Sequence, residues 1–224
     1  GRKILEFNNV SALIETGGSM WQDRSRNEAA YEVPKGSGEK VIYAGSIWMG
    51  GVDDSNQLKL AALTFREGND FWAGPLSMGA GGQTGNINQG TLAYGTATIE
   101  PETCVDYDQF YITTRIEVEE FNSWYECTQD PDCDVNLDFP DYVTPSSILT
   151  WPAHGDVSKF QDFYLAPFFD RNSDGVYDPQ GGDYPWYDLS GELDCRTDRQ
   201  VTLYGDYNMW WVFNDKGNIH TETQ

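Results

Sequence analysis

A run of oxygen-bearing side chains between residues 170 and 183 has the residue types and the spacing of a calcium-binding loop. It reads DRNSDGVYDPQGGD and opens on D-x-N-x-D-G. In that pattern alternate side chains direct their oxygens to one point, the glycine permits a sharp turn, and calcium prefers such hard oxygen donors. The predicted calcium ligands are the side chains of Asp170, Asn172, Asp174, Asp178 and Asp183 and the backbone carbonyl of Val176.

The end of this loop departs from the twelve-residue calcium pattern, because the closing position, normally an acid, is Gly181. Asp183 follows two residues later, and Gly181 and Gly182 would let the chain curl back so that Asp183 closes the site. Prolines on both flanks argue against a helix pair that opens like a calcium sensor, so we expect a structural ion. The alternative is an Asx-rich turn whose aspartates accept hydrogen bonds from nearby backbone amides.

The overall charge restricts the class of partner. The chain carries 36 acidic and 14 basic residues, a formal net charge of −22. Nucleic acids and anionic membrane surfaces would repel it, and no apolar run approaches the ~18 residues of a membrane span, so we predict neither nucleic-acid binding nor membrane insertion. The excess of acids could keep the protein soluble or bind metal ions. The cluster Asp130, Asp132 and Asp134 could likewise be a solvated loop or a second calcium site.

Four cysteines predict two disulfides in an oxidising compartment. Cys127 and Cys133 flank a short acidic turn and form the natural first pair, which leaves Cys104 to pair with Cys195. No C-x-x-C motif is present, and the two histidines are not spaced as zinc ligands. The alternative is four buried, reduced thiols.

No arrangement of residues specifically predicts catalysis. Acids are too abundant for one glycosidase-like pair to stand out, and G-x-S-x-G is absent. His154 lies close to Asp156, but no nucleophile can be assigned to the pair, and a turn histidine is the simpler interpretation. Tryptophans in SIWMGG (46–51) and MWW (209–211) offer rings for stacking on sugars, with core packing as the alternative. The sequence therefore favours a non-enzymatic role.

The elements around these residues are predicted to be mainly β. The apolar runs 39–53 and 58–65, separated by DSNQ, indicate a hairpin, and 199–215 indicates a late strand. The Gly-rich stretch 73–98 predicts a long loop. An aromatic content of 14% argues against disorder. We expect one domain over 1–224, β-sandwich-like with long loops and one or two short helices.

One helix is predicted over 106–126. Its candidate core residues recur at helical spacing and are Thr114, Val118, Phe121 and Tyr125. We expect the aromatic members to pack into the core and not to form a ligand platform.

A family resemblance is carried by the stretches YEVPKGSGEKVIYAGSIWMGGVD, GNDFWAGPL, WYECTQDPDCD, LTWPAHGD, YLAPFFDRNSDGVYDPQGGDYPW and DCRTDRQVTLYGDYNMWWVFNDKGNIHTET. Over nearly the whole chain these resemble the N-terminal region of large secreted Bacteroidetes proteins exported by the type IX secretion system. The resemblance implies export and an extracellular or cell-surface location. In proteins of this type the calcium-like stretch also closes as G-D-Y-P, which supports Asp183 as part of the site.

Together these features predict a secreted cell-surface structural or adhesion domain, stabilised by calcium and disulfides. We expect it to be a fragment of a longer protein and to contact other cell-surface or secretion-system proteins, within a larger assembly. One alternative is a module that binds or hydrolyses carbohydrate. Another is a docking domain for a secretion or gliding-motility partner.

Overall fold

The computed structural model describes residues 1–52, 56–63, 70–78, 97–187 and 205–217. Short antiparallel strands dominate, with few helices, which confirms the predicted mainly-β class. The strands are β1 Arg2–Leu5, β2 Ser11–Glu15, β3 Ser19–Met20, β4 Gln22–Asp23, β5 Glu28–Ala29, β6 Tyr31–Glu32, β7 Lys40–Ile42, β8 Gly45–Ser46, β9 Trp48–Val52, β10 Leu58–Ala62, β11 Trp72–Ala73, β12 Tyr111–Thr114, β13 Phe168–Phe169, β14 Tyr184–Pro185, β15 Tyr207–Trp210 and β16 Phe213–Asn214. The helices are α1 Pro101–Tyr107, α2 Arg115–Gln129, α3 Val135–Asp138 and α4 Ser146–Leu149, and 3₁₀ turns lie at Val157–Lys159 and Pro179–Gly181.

The chain divides into two compact units. The first contains Gly1–Phe110, Val157–Asp162 and Trp211–Gln224, and the second contains Tyr111–Asp156 and Phe163–Trp210. Neither unit is continuous in sequence. The expectation of a single domain stays a prediction.

The first unit is built on a six-stranded antiparallel sheet. Its order is β7-β6-β2-β3-β8, with β1 also paired to β2. Strand β2 supplies the buried run Ala12–Ile14, and a second apolar cluster joins Ala61, Leu63 and Phe71 to Phe213. The predicted hairpin is confirmed as the antiparallel pair β9 and β10. Several residues of these predicted segments lie outside the described residues: 53, 64 and 65 from the two runs, 54–55 from the linker, and 79–96 from the Gly-rich loop.

The second unit holds its core against one face of helix α2. Val118, Phe121 and Ile148 are buried together, and Phe121 is fully inaccessible to solvent. A second cluster is formed by Trp151, Ala153 and Ala166. The prediction that the helix aromatics pack into the core is confirmed for Phe121.

Helix α2 begins later than the sequence pattern predicts. The predicted helix starts at residue 106, whereas 111–114 form strand β12, paired antiparallel with β15. The β-branched run Ile112–Thr114 favours a strand. Thr114 then caps α2, because its hydroxyl accepts from the Glu117 amide while the Glu117 carboxylate accepts from the Thr114 amide. Among the described helices, none is both long and apolar enough to cross a membrane.

Candidate calcium loop

The predicted calcium loop lies between the two strands of a short ribbon. Strand β13 ends at Phe169 and β14 begins at Tyr184, and the two residues face each other in an antiparallel pair. Their rings stack with centroids 5.0 Å apart. The pairing brings Asp170 and Asp183, the first and last predicted ligands, to the same end of the ribbon. The sequence predicted this closure from Gly181, Gly182 and Asp183, whereas the contribution of the flanking aromatic residues was missed.

The first half of the loop is a set of side-chain-to-backbone hydrogen bonds. Oδ1 of Asp170 and Oδ1 of Asn172 both accept from the Asp174 amide, at 3.2 and 2.9 Å. Oδ2 of Asp170 accepts from the Gly175 amide at 2.6 Å, and Oδ1 of Asp174 accepts from the Val176 amide at 2.7 Å. These are the bonds of the Asx-turn alternative, and they order the oxygen-bearing side chains around one turn of chain.

The backbone of this turn is left-handed at two residues. Ser173 has φ of 60° and Gly175 has φ of 79°. A Cβ at position 175 would also lie 2.6 Å from the hydroxyl of Tyr164. The left-handed backbone therefore favours glycine here, which is the role that the loop pattern assigns to it, while the Tyr164 hydroxyl lies at the end of an exposed side chain.

The second half of the loop is organised by Asp178. Oδ1 of Asp178 accepts from the Gln180 amide at 2.9 Å and so caps the 3₁₀ turn Pro179–Gly181. A Cβ on Gly181 would lie 3.2 Å from Oδ2 of Asp178. The Asp178 carboxylate therefore occupies the space beside Gly181, the closing position of the loop. Val176, the predicted carbonyl ligand, is exposed and lies two residues before Asp178.

Asp183 is the most buried of the predicted ligands, with 1% of its surface exposed. Oδ1 accepts from the Arg171 amide and Oδ2 accepts from the Asp178 amide, each at 2.9 Å. Arg171 is the second residue of the loop and Asp178 is the ninth. Asp183 thus ties the two halves of the loop together, and each of its oxygens keeps a further lone pair.

The donor chemistry of the loop suits a hard cation. Asp170, Asn172, Asp174 and Asp178 offer oxygens, and the last three are exposed. Calcium takes six to eight such oxygens at about 2.3–2.6 Å. Accepting one amide hydrogen bond does not exhaust a carboxylate oxygen, so the Asx bonds and a bound ion are compatible.

The loop aspartates are nevertheless not drawn into a tight cage. Among the described residues, the only group of three His, Cys, Asp or Glu side chains with ligand atoms all within 4.8 Å of one another is Cys127, Cys133 and Asp138. Two of its members are joined in a disulfide, so they offer no thiolate to a metal. A cation at the loop would have to draw the exposed carboxylates inward.

His154 supports the loop from outside, a role that sequence reasoning missed. Its Nε2 accepts from the Tyr177 amide at 2.8 Å, and its Nδ1 lies 3.0 Å from the carbonyl of Phe163. Because Nε2 accepts, Nδ1 carries the hydrogen and donates to Phe163. Both ring nitrogens are therefore occupied by backbone partners and not by Asp156. This agrees with the interpretation of His154 as a turn histidine.

The predicted disulfide Cys127–Cys133 is present and joins the end of α2 to the segment before α3. Cys104 is half-buried, and burial raises the pKa of its thiol. Its predicted partner Cys195 lies outside the described residues, so that pairing stays a prediction.

The second acidic cluster has local structural roles. Oδ1 of Asp130 accepts from the Asp132 amide, and Oδ1 of Asp134 caps α3 through the Asn136 amide. These bonds fit the solvated-loop interpretation. Within the described part of the chain, the three carboxylates do not form a close group.

The candidate sugar-stacking tryptophans differ in exposure. Trp48 on β9 is 77% exposed. Trp210 packs against Tyr111 and Trp151, and Trp211 packs edge-on against Phe110. Of the two candidate stretches, only 46–51 therefore presents a tryptophan largely to solvent.

Comparisons of the chain with protein-family models, with curated proteins and with solved structures found no match. The chemistry of the site therefore has to be inferred from its own geometry.

Proposed function

We propose that this chain is a secreted structural or adhesion domain of a bacterial cell surface, exported as type IX cargo and stabilised by a calcium ion in the loop 170–183. The ion holds the loop in one conformation and protects an exposed acidic segment from proteolysis. Its role is that of a staple, and we assign no catalytic step to it.

The observation that carries this proposal is the arrangement of the D-x-N-x-D-G turn. Two oxygen-bearing side chains, those of Asp170 and Asn172, accept from the Asp174 amide, and the buried Asp183 carboxylate closes the loop behind them. An exposed concentration of carboxylates is self-repelling without a cation, and calcium relieves that repulsion. The Cys127–Cys133 disulfide and the net charge of −22 are in keeping with an extracellular protein.

The test is thermal and urea unfolding of the chain under non-reducing conditions, in calcium chloride and in chelator. With free calcium roughly a hundredfold above Kd, the ion should stabilise the protein by about 2.7 kcal/mol. Magnesium chloride should stabilise it less, because magnesium releases its waters reluctantly.

The variant Asp174→Asn sharpens this test. The amide oxygen can still accept from the Val176 amide, so this turn bond is retained. One negative ligand is lost, together with the exposed hydrogen bond that the other carboxylate oxygen accepts from the Asn172 side chain. We expect the calcium-dependent increment to fall, with a smaller loss of stability in chelator from the broken bond to Asn172. Asp141→Asn is the matched control, because Asp141 is exposed, lies outside the loop and has a left-handed φ of 64° that asparagine tolerates. Equal losses with and without calcium would reject a metal role for Asp174.

A second candidate function is glycan binding at the β9–β10 hairpin. Trp48 presents its ring to solvent, and Gly50 lies on the same face of β9. Leu60 lies against Gly50 on this face, and Ala62 is opposite Trp48 across the pair. An exposed Trp ring flanked by apolar side chains suits stacking on the apolar face of a sugar.

A panel of polysaccharides in affinity electrophoresis tests this candidate. Retardation by one polysaccharide should disappear in Trp48→Ala and persist in Trp72→Ala, which alters another partly exposed tryptophan. Retardation that survives Trp48→Ala, or none with any polysaccharide, would count against glycan binding at this hairpin.

A further inference from the structure

Arg171 occupies a position within the loop that the calcium pattern leaves unspecified. It lies between the predicted ligands Asp170 and Asn172, in a chain with 36 acids. Its guanidinium nevertheless forms no salt bridge with any carboxylate among the described residues. The side chain turns away from the loop aspartates, which leaves their charges available to another cation.

The side chain of Arg171 instead contacts helix α2 through neutral groups. Its Nη2 donates to Oδ1 of Asn122 at 2.9 Å, and its guanidinium carbon lies 4.8 Å from the ring centre of Tyr125. Asn122 and Tyr125 are three residues apart and so share one face of the helix. The planar guanidinium is suited to donate at its edge and stack on its face at the same time.

The same side chain also holds the far end of the loop. Nε of Arg171 donates to the carbonyl of Gly182 at 3.2 Å, and its amide donates to Asp183. A Cβ on Gly182 would lie 2.6 Å from the Tyr125 ring and 2.8 Å from Nε of Arg171. Arg171 therefore joins the start of the loop, the end of the loop and the helix at one point.

Helix α2 in turn reaches the core of the unit. The Tyr125 ring stacks on the Phe121 ring, with the two ring centroids 6.2 Å apart. Phe121 in turn packs with Val118 and Ile148. A short series of packed groups thus connects the loop to α2 and to the buried core beneath it.

We propose that Arg171 is the positioning residue of this loop, coupling the order of the loop, and hence its affinity for calcium, to the order of helix α2. The calcium part of this inference rests on the proposed function; the mechanical coupling of loop and helix does not.

The test uses the full chain with Arg171→Lys, which keeps the positive charge and loses the planar fork. Calcium affinity is measured by titration calorimetry, and amide hydrogen exchange is followed over residues 119–126 of α2. In the unaltered protein, calcium chloride should slow exchange in this segment relative to chelator. In Arg171→Lys, calcium should bind about tenfold more weakly and the slowing should be lost.

Two further variants keep the test decisive. Asn122→Ala removes the acceptor on the helix, together with the hydrogen bond between the Asn122 side chain and Tyr184, and should reproduce the effect of Arg171→Lys. Arg115→Lys is the control, since Arg115 is on the same helix but pairs with Asp206. Wild-type calcium affinity in Arg171→Lys, together with an unchanged response of α2, would overturn the inference.

A measurement in chelator separates this inference from the proposed function. Asp183→Asn loosens the loop and should speed exchange in α2, and this effect should shrink in the Arg171→Lys background. If the protein binds no calcium but this coupling is found, the proposed calcium function is wrong and the mechanical role of Arg171 stands. If Asp183→Asn speeds exchange equally in both backgrounds, or in neither, the coupling is wrong.

Discussion

At the scale of single residues, the loop depends on two positions near its end. Asp183 is buried and places one carboxylate oxygen on each half of the loop. Gly182 has φ of 97° and lies against Tyr125 and Arg171. Neither residue belongs to the D-x-N-x-D-G motif, yet both decide whether the motif is held in place.

We expect Asp183→Asn to lower the free energy of unfolding by about 1–3 kcal/mol, even in chelator. An amide offers one acceptor oxygen, so its NH₂ group would face one of the two N–H donors. Urea unfolding with the control Asp141→Asn measures the difference. A loss no greater than that of the control would show that the bridge contributes nothing.

Gly182→Ala should lower the free energy of unfolding more than Gly36→Ala does. Both glycines have a left-handed φ, of 97° and 84° respectively. Alanine in this conformation raises the free energy of the folded state by about 1–2 kcal/mol. Only at position 182 would the new methyl also collide, with the Tyr125 ring at 2.6 Å, whereas nothing lies within 4 Å of the site at Gly36. Unfolding midpoints of the two variants give the comparison, and equal losses would reject the close approach of loop and helix.

At the scale of elements, the junction of β12 and α2 sets the position of the helix face that meets the loop. Thr114 is both the last residue of the strand and the N-cap of the helix. The disulfide Cys127–Cys133 secures the other end of α2. The face that carries Asn122 and Tyr125 is therefore held at both ends.

Removing the cap should destabilise this element measurably. We expect Thr114→Ala to cost about 1 kcal/mol, because the Glu117 amide loses its acceptor. Ser123→Ala on the same helix is the control, since its hydroxyl bonds back to the Glu119 carbonyl and alanine is the better helix former. Helical circular dichroism during urea unfolding measures both variants, and a neutral Thr114→Ala would contradict the capping box.

At the scale of the whole molecule, the burial of tyrosine side chains should make the stability of the protein fall as the pH becomes alkaline. Burial raises the pKa of Tyr187 to about 12 from an ordinary value of 10.0. Burial, with Glu120 and Glu117 nearby, also raises the pKa of Tyr142 to about 12. Because the pKa values are higher in the folded state, the unfolded chain ionises first as pH rises.

The stability contribution of these tyrosines should therefore be complete below pH 10 and be lost progressively as pH rises from about 10 to 12. Tyr187→Phe should make the fall in the urea midpoint shallower over this range. Tyr164→Phe, at an exposed ring, is the control. A midpoint that stays constant up to pH 12 would contradict the burial of these side chains.

Local chemistry was readable from the sequence alone. The Asx bonds and the left-handed glycine of the loop act within six residues, so the residue types from Asp170 to Gly175 are sufficient to predict them. Two apolar runs separated by a turn-rich linker likewise predicted the β9–β10 hairpin, and helical spacing predicted α2 and its buried Phe121. The calcium ion stays a prediction, because oxygen ligands in a suitable pattern are also the ingredients of a turn.

The tertiary structure decided what depends on residues distant in sequence. Arg171 and Asn122 are 49 residues apart, and His154 and Tyr177 are 23 apart, so no local pattern specifies either contact. The start of α2 was missed because 111–114 pair with a strand almost a hundred residues later, and such pairing overrides local helical preference. Residue types and spacing determined the chemistry that this loop offers, whereas packing against distant elements determined how firmly the loop is held.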